Sequence, residues 1–115
     1  MDNETLSNLV KSNLDIPVSI GWFREDIKGS HITFTMLHEK PMWFSDNEPT
    51  AFNKVYEFDI WAINESPESY KYSLIELLEN NNFTYEEGME VPDKQPGLYH
   101  LSLKFSYFEE VIIND

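Results

Sequence analysis

The chain contains no cysteine, so a disulfide framework, a thiolate nucleophile and a Cys-ligated zinc are excluded. Only four glycines occur, too few for a phosphate-cradling loop, and no GxSxG elbow is present. Basic residues are scarce as well: eight Lys and Arg stand against 21 Asp and Glu, a formal net charge of −13. A field of that sign repels phosphate backbones and anionic headgroups, which argues against direct nucleic-acid binding. No apolar run approaches the ~18 residues that a membrane span needs. The opening "MDNETLSNLVKSNLD" carries acids where a signal peptide has its basic region. These absences predict a soluble, cytoplasmic protein with no membrane partner.

What is abundant is apolar. Hydrophobic residues make up 41% and aromatic residues 15% of the 115 residues, enough apolar surface to offset chain entropy and oppose disorder. A chain of this length is about one domain's worth and buries roughly two-thirds of its unfolded surface. A single domain over residues 1–115 is expected.

Leu6, Leu9, Val10 and Leu14 recur at helical steps behind a capping Asp2 or Asn3, and Pro17 stops that helix. Ile16, Val18, Ile20 and Trp22 alternate as in a strand, "REDIKGS" reads as a charged turn, and Ile32, Phe34 and Met36 line a second strand. That pairing predicts a hairpin whose second ladder ends at Pro41. A third strand has Tyr56, Phe58, Ile60 and Ala62 on one face and Val55, Glu57, Asp59 and Trp61 on the other. Ser66, Pro67 and Glu68 then read as the start of a helix with Tyr70, Leu74, Leu77 and Leu78 on its buried stripe. Two further strands follow, the first with a bulge expected at Gly88, the second with Tyr99, Leu101, Leu103, Phe105 and Tyr107 on its apolar face. The predicted architecture is α+β: an antiparallel or mixed sheet with two helices packed on one face.

Two groups stand out against this frame. Glu57 and Asp59, two apart on a strand, point the same way roughly 6 to 7 Å from each other, a spacing compatible with metal binding or glycoside chemistry. The same spacing arises on the solvent side of any half-buried strand, and no His, Lys or Ser is tied to the pair by its spacing. The solvent-side reading is the expectation. His31, His38 and His100 show no HExxH or HxH arrangement, so neither a metal nor another cofactor is expected. Met42, Trp43 and Phe44 lie in "PMWFSDNEPTAFN", a stretch rich in Pro, Asp and Asn that reads as a loop. Apolar side chains there either tuck against their own domain or meet a partner, and the three are the candidate interaction residues.

The strand "KVYEFDIWA", the helix "SPESYKYSLIELLENN", the short "FTY" and the last strand "PGLYHLSLKFSY" form a pattern. It resembles the tail-completion, or tail-terminator, proteins of long-tailed bacteriophages and prophages. In that family a strand ending in Asp, an aromatic or aliphatic residue, then Trp precedes the helix, and Gly-Leu-Tyr-His opens the last strand. Here these are Asp59, Ile60 and Trp61, then Gly97, Leu98, Tyr99 and His100. The match covers about the second half of the chain.

The resemblance implies no catalysis. It implies a homo-oligomeric ring, commonly a hexamer, at the head-proximal end of the tail tube, with the tube protein and the head-side connector as partners. DNA passes through the lumen without specific binding, and Glu57 and Asp59 become candidate lumen-facing acids. The expected location is the bacterial cytoplasm during assembly and the virion tail afterwards. A head-tail joining protein, another minor tail protein, an acidic DNA-mimic inhibitor and an enzyme using Glu57 and Asp59 are the alternatives.

Overall fold

A computed structural model describes residues 1–110; the last five positions of the expected 1–115 domain lie outside the described residues. The elements run α1 (Asn3–Leu14), β1 (Val18–Ile20), β2 (His31–Ser45), β3 (Glu48–Ile63), α2 (Glu68–Glu79), β4 (Phe83–Val91) and β5 (Leu98–Glu110). They build one five-stranded mixed sheet in the order β1-β2-β3-β5-β4, with α1 and α2 on one face, the α+β class expected. No helix among the described residues is long and apolar enough to cross a membrane.

The alternating pattern accounts for the core. Ile32 and Phe34 of β2, Tyr56, Phe58 and Ile60 of β3, and Leu101, Leu103 and Phe105 of β5 all point toward the helices. Leu6 and Val10 of α1 and Leu74 and Leu78 of α2 close over them. Asp2 caps α1 by accepting the Thr5 N–H at 2.7 Å, and Asp15 ends it in the left-handed conformation just before Pro17. Helix α2 begins one residue later than its sequence signal suggests: Pro67 holds the cap position, and the Ser66 hydroxyl accepts the Glu68 N–H at 3.3 Å.

Three expectations are corrected. First, β1 and β2 do not form a hairpin; they pair in parallel, Val18 with Ile32 and Ile20 with Phe34. The connection, residues 21–30, doubles back across the helix-free face, where Trp22 and Phe23 pack on Trp61. Second, Pro41 does not end the β2 ladder but pairs with Phe52. Beyond Phe34 no strand among the described residues flanks the outer side of β2, and a missing N–H on such an edge costs no ladder bond. The stretch after Pro41 is therefore strand, closed by Asp46 and Asn47 at φ 53° and 66°, the pair of left-handed residues that a type I′ hairpin turn requires. Third, the β4 irregularity falls between Tyr85 and Glu87, not at Gly88.

The β2–β3 hairpin runs past the body, giving a molecule of 55 × 26 × 24 Å. Every residue from 36 to 48 is exposed. A register shift at Leu37 turns this arm over: Met36 opposes Tyr56 on the helix side, whereas His38 opposes Val55 on the other. From there Lys40, Met42 and Phe44 lie on the helix-free face.

Candidate functional site

The helix-free face divides into three zones along the strands. At the arm end Met42 and Phe44 of β2 share the face with Ala51 of β3 and Phe108 of β5. Trp43, at φ 48°, breaks the alternation, and its ring meets Phe108 edge-on at 5.0 Å. Trp43 is 59% and Phe44 63% exposed, and Met42 37%, so the three candidate interaction residues form an apolar tip that the rest of the described residues leaves open. An ion pair between Lys54 and Glu109 at 2.5 Å fastens the arm's opposite face. The Glu109 carboxylate holds the Lys54 ammonium above its ordinary range and is itself held below the usual carboxylate range.

The middle zone is polar. Glu57 is half-buried beside Ser102, and Lys104 pairs with Glu87 at 3.1 Å. Burial pushes the Glu57 carboxyl above its usual value; the neighbouring Asp59 charge and a hydrogen bond to Asp59 push it the same way, against an opposing bond from Ser102. Ser106 donates to Glu86, so Glu57, Glu86 and Glu87 make this an acidic strip with one lysine in it.

The third zone is covered. Asp59 is only 1% exposed, so the expectation that both acids form the solvent side of β3 is corrected for Asp59. It accepts from His100 Nε2 at 2.6 Å, beneath the stacked ring of Trp61 and the edge of Trp22. The Trp61 indole N–H donates to the Thr33 hydroxyl at 2.9 Å. His31 accepts the Arg24 N–H on Nε2 at 3.2 Å, which leaves Nδ1 as the protonated nitrogen, donating to the Gly29 carbonyl at 3.0 Å. Every buried side-chain polar atom among the described residues has a partner. This zone ends in an open groove of about 510 Å³ between Trp22, Phe23, Val91 and Leu98, rimmed by Glu25 and Asp93.

The structure thus brings Glu57 and Asp59 together, places Met42, Trp43 and Phe44 about as far from them as the sheet allows, and adds His100, Trp22 and His31. The sequence carried one usable signal for these additions. Trp61, a large aromatic on the same strand face as Glu57 and Asp59, is the residue that called for a cover at that end. No group of three or more His, Asp or Glu side chains among the described residues is arranged to hold a metal ion. No family model matches the chain, and no curated protein matches it.

Proposed function

We propose that this chain is a structural subunit of a phage or prophage tail that assembles as a ring at the head-proximal end of the tail tube, ends tube growth and offers a surface to the head-side connector. The observation that carries this reading is the β2–β3 arm with its bare tip of Met42, Trp43 and Phe44. An arm of this kind has no role in the core of its own domain and suits a contact with another subunit. The likeness of "DIW" and "GLYH" to the tail-terminator pattern supports the same reading; the first lies within β3 and the second runs from Gly97 into the start of β5.

The reading includes no catalysis. Asp59 and His100 engage each other under two indole rings, with no room for a substrate between them. The net charge of −13 also suits a ring through which DNA passes without adhering. In that arrangement Glu57, with Glu86 and Glu87, supplies the lumen-facing acids, and Asp59, buried against His100, does not face the lumen.

Deleting the gene from the phage and imaging the lysate by electron microscopy tests the proposal. Overlong tails without heads are the expected result. Filled heads beside unattached tails of normal length would instead assign a head-tail joining role, and normal infectious particles would overturn both.

A further inference from the structure

We infer that the arm tip of one copy docks in the Trp22 groove of the next, so that the subunits associate head to tail. This inference rests on the ring reading above and names the two surfaces that would make it. Both patches lie on the helix-free face but at opposite ends of the sheet. Ala51 marks the tip and Trp61 floors the groove, and ten strand residues at about 3.3 Å each put them about 33 Å apart.

The occupant follows from shape and charge. The tip presents two aromatic side chains more than half exposed, and the groove presents Trp22, itself 57% exposed, with Phe23, Val91 and Leu98. Lys40 stands two residues from Met42 on the same face of the arm and makes no ion pair among the described residues. Glu25 and Asp93 rim the groove, with no Lys or Arg among its lining residues. Lys40 of one copy is thus the complement of Glu25 or Asp93 of the next; Glu48 points to the arm's other face, and Glu110, which shares the tip's face opposite Ala51, stands two strands away from Lys40.

The space between the patches decides the symmetry. A two-fold pair joined face to face through both patches would press the strip of Glu57, Glu86 and Glu87 against its own copy, with only Lys104 on each side to offset it. Opposed like charges disfavour that arrangement. A head-to-tail contact joins tip to groove and leaves each strip in water. Such a contact is heterologous, and it closes into a ring or continues as a filament according to its rotation.

The purified full chain tests this by analytical ultracentrifugation. Wild type is expected to associate beyond a dimer, and Phe44→Ser in the tip or Trp22→Ser in the groove is expected to weaken that association at least ~10-fold. Each variant keeps one good surface, so an equimolar mixture of the two is expected to stop at a one-to-one dimer. If Trp22→Ser unfolds, Glu25→Lys tests the same groove without touching packed rings, and its loss of assembly is expected to be restored by Lys40→Glu on the partner variant.

Wild type that remains monomeric, or that stops at a two-fold dimer, would overturn the inference. Assembly that survives both substitutions would overturn it while leaving the ring reading intact, since another surface would then join the subunits.

Discussion

His100 Nε2 lies 2.6 Å from Asp59 Oδ1, the two side chains meeting diagonally across β5 and β3 at 4% and 1% exposure. Trp61 stacks on the imidazole at 3.7 Å between ring centres, so water has little access to either partner. Removing one partner strands the other in an apolar site, at a cost of about 3–5 kcal/mol. Asp59→Ala and His100→Ala are each expected to lose about that much unfolding free energy in urea. The double variant should lose less than the sum of the two, because the second substitution removes the stranded group. Strictly additive losses would show that the two groups are not coupled.

Glu57 gives stability a pH dependence of known sign. Burial, with the Asp59 charge behind it, raises its folded-state value above the ordinary 4.5, so between the two values the folded chain binds more protons than the unfolded one. Its contribution is fully present below the unfolded value and is lost as pH rises through the folded value. Glu57→Gln is therefore expected to gain stability relative to wild type as pH is raised from 4 to 8, measured by urea titration at each pH. A difference that stays constant over that range would mean that Glu57 is not the titrating group.

Most of the fold was legible because side-chain period and punctuation are local. Asp2 and Pro17 bound α1, the alternation of Tyr56, Phe58 and Ile60 marks β3, and the Leu74 and Leu78 spacing marks α2. What escaped depends on pairing between distant segments. His100 reaches Asp59 only because β5 lies beside β3 in one particular register, and 41 residues separate them. The hairpin expected from "REDIKGS" fails for the same reason: the turn chemistry is present, but the next strand pairs in parallel and the turn becomes a cover for Trp61. Pro41 misled because a proline ends a ladder only where its N–H is needed, and the arm is an edge. The exposed apolar triplet was readable from its composition, whereas its strand conformation was not.

Gly88 sits where a side chain has no room. A Cβ there would fall on the Tyr85 hydroxyl and within 2.8 Å of Leu103 Cδ2. The Tyr85 ring packs against Phe105 at 5.4 Å, so moving it disturbs the rim of the core. Gly88→Ala is expected to cost about 1–3 kcal/mol, as overpacking does. Chemical denaturation checks the size, and Gly88→Ala combined with Tyr85→Phe, which removes the nearest atom, is expected to recover part of the loss. No recovery would place the strain on Leu103 instead.

His31 holds the 21–30 connection through both ring nitrogens, and the two bonds specify its state. The Arg24 N–H needs a lone pair on Nε2, and the Gly29 carbonyl needs a proton on Nδ1, so the neutral Nδ1–H tautomer is the one that satisfies both. The ring is fully buried against Phe23, and its loss leaves a backbone donor and acceptor without partners. That costs about 1–3 kcal/mol for each group left dry. Nitrogen-15 spectroscopy of the imidazole is expected to report the Nδ1–H form at neutral pH. His31→Ala is expected to loosen the connection, shift Trp22 and Trp61 fluorescence toward that of hydrated indole and speed amide exchange over residues 21–30, with the α1 amides unaffected. Equal acceleration in α1 would show that His31 supports the whole domain and not this cover alone.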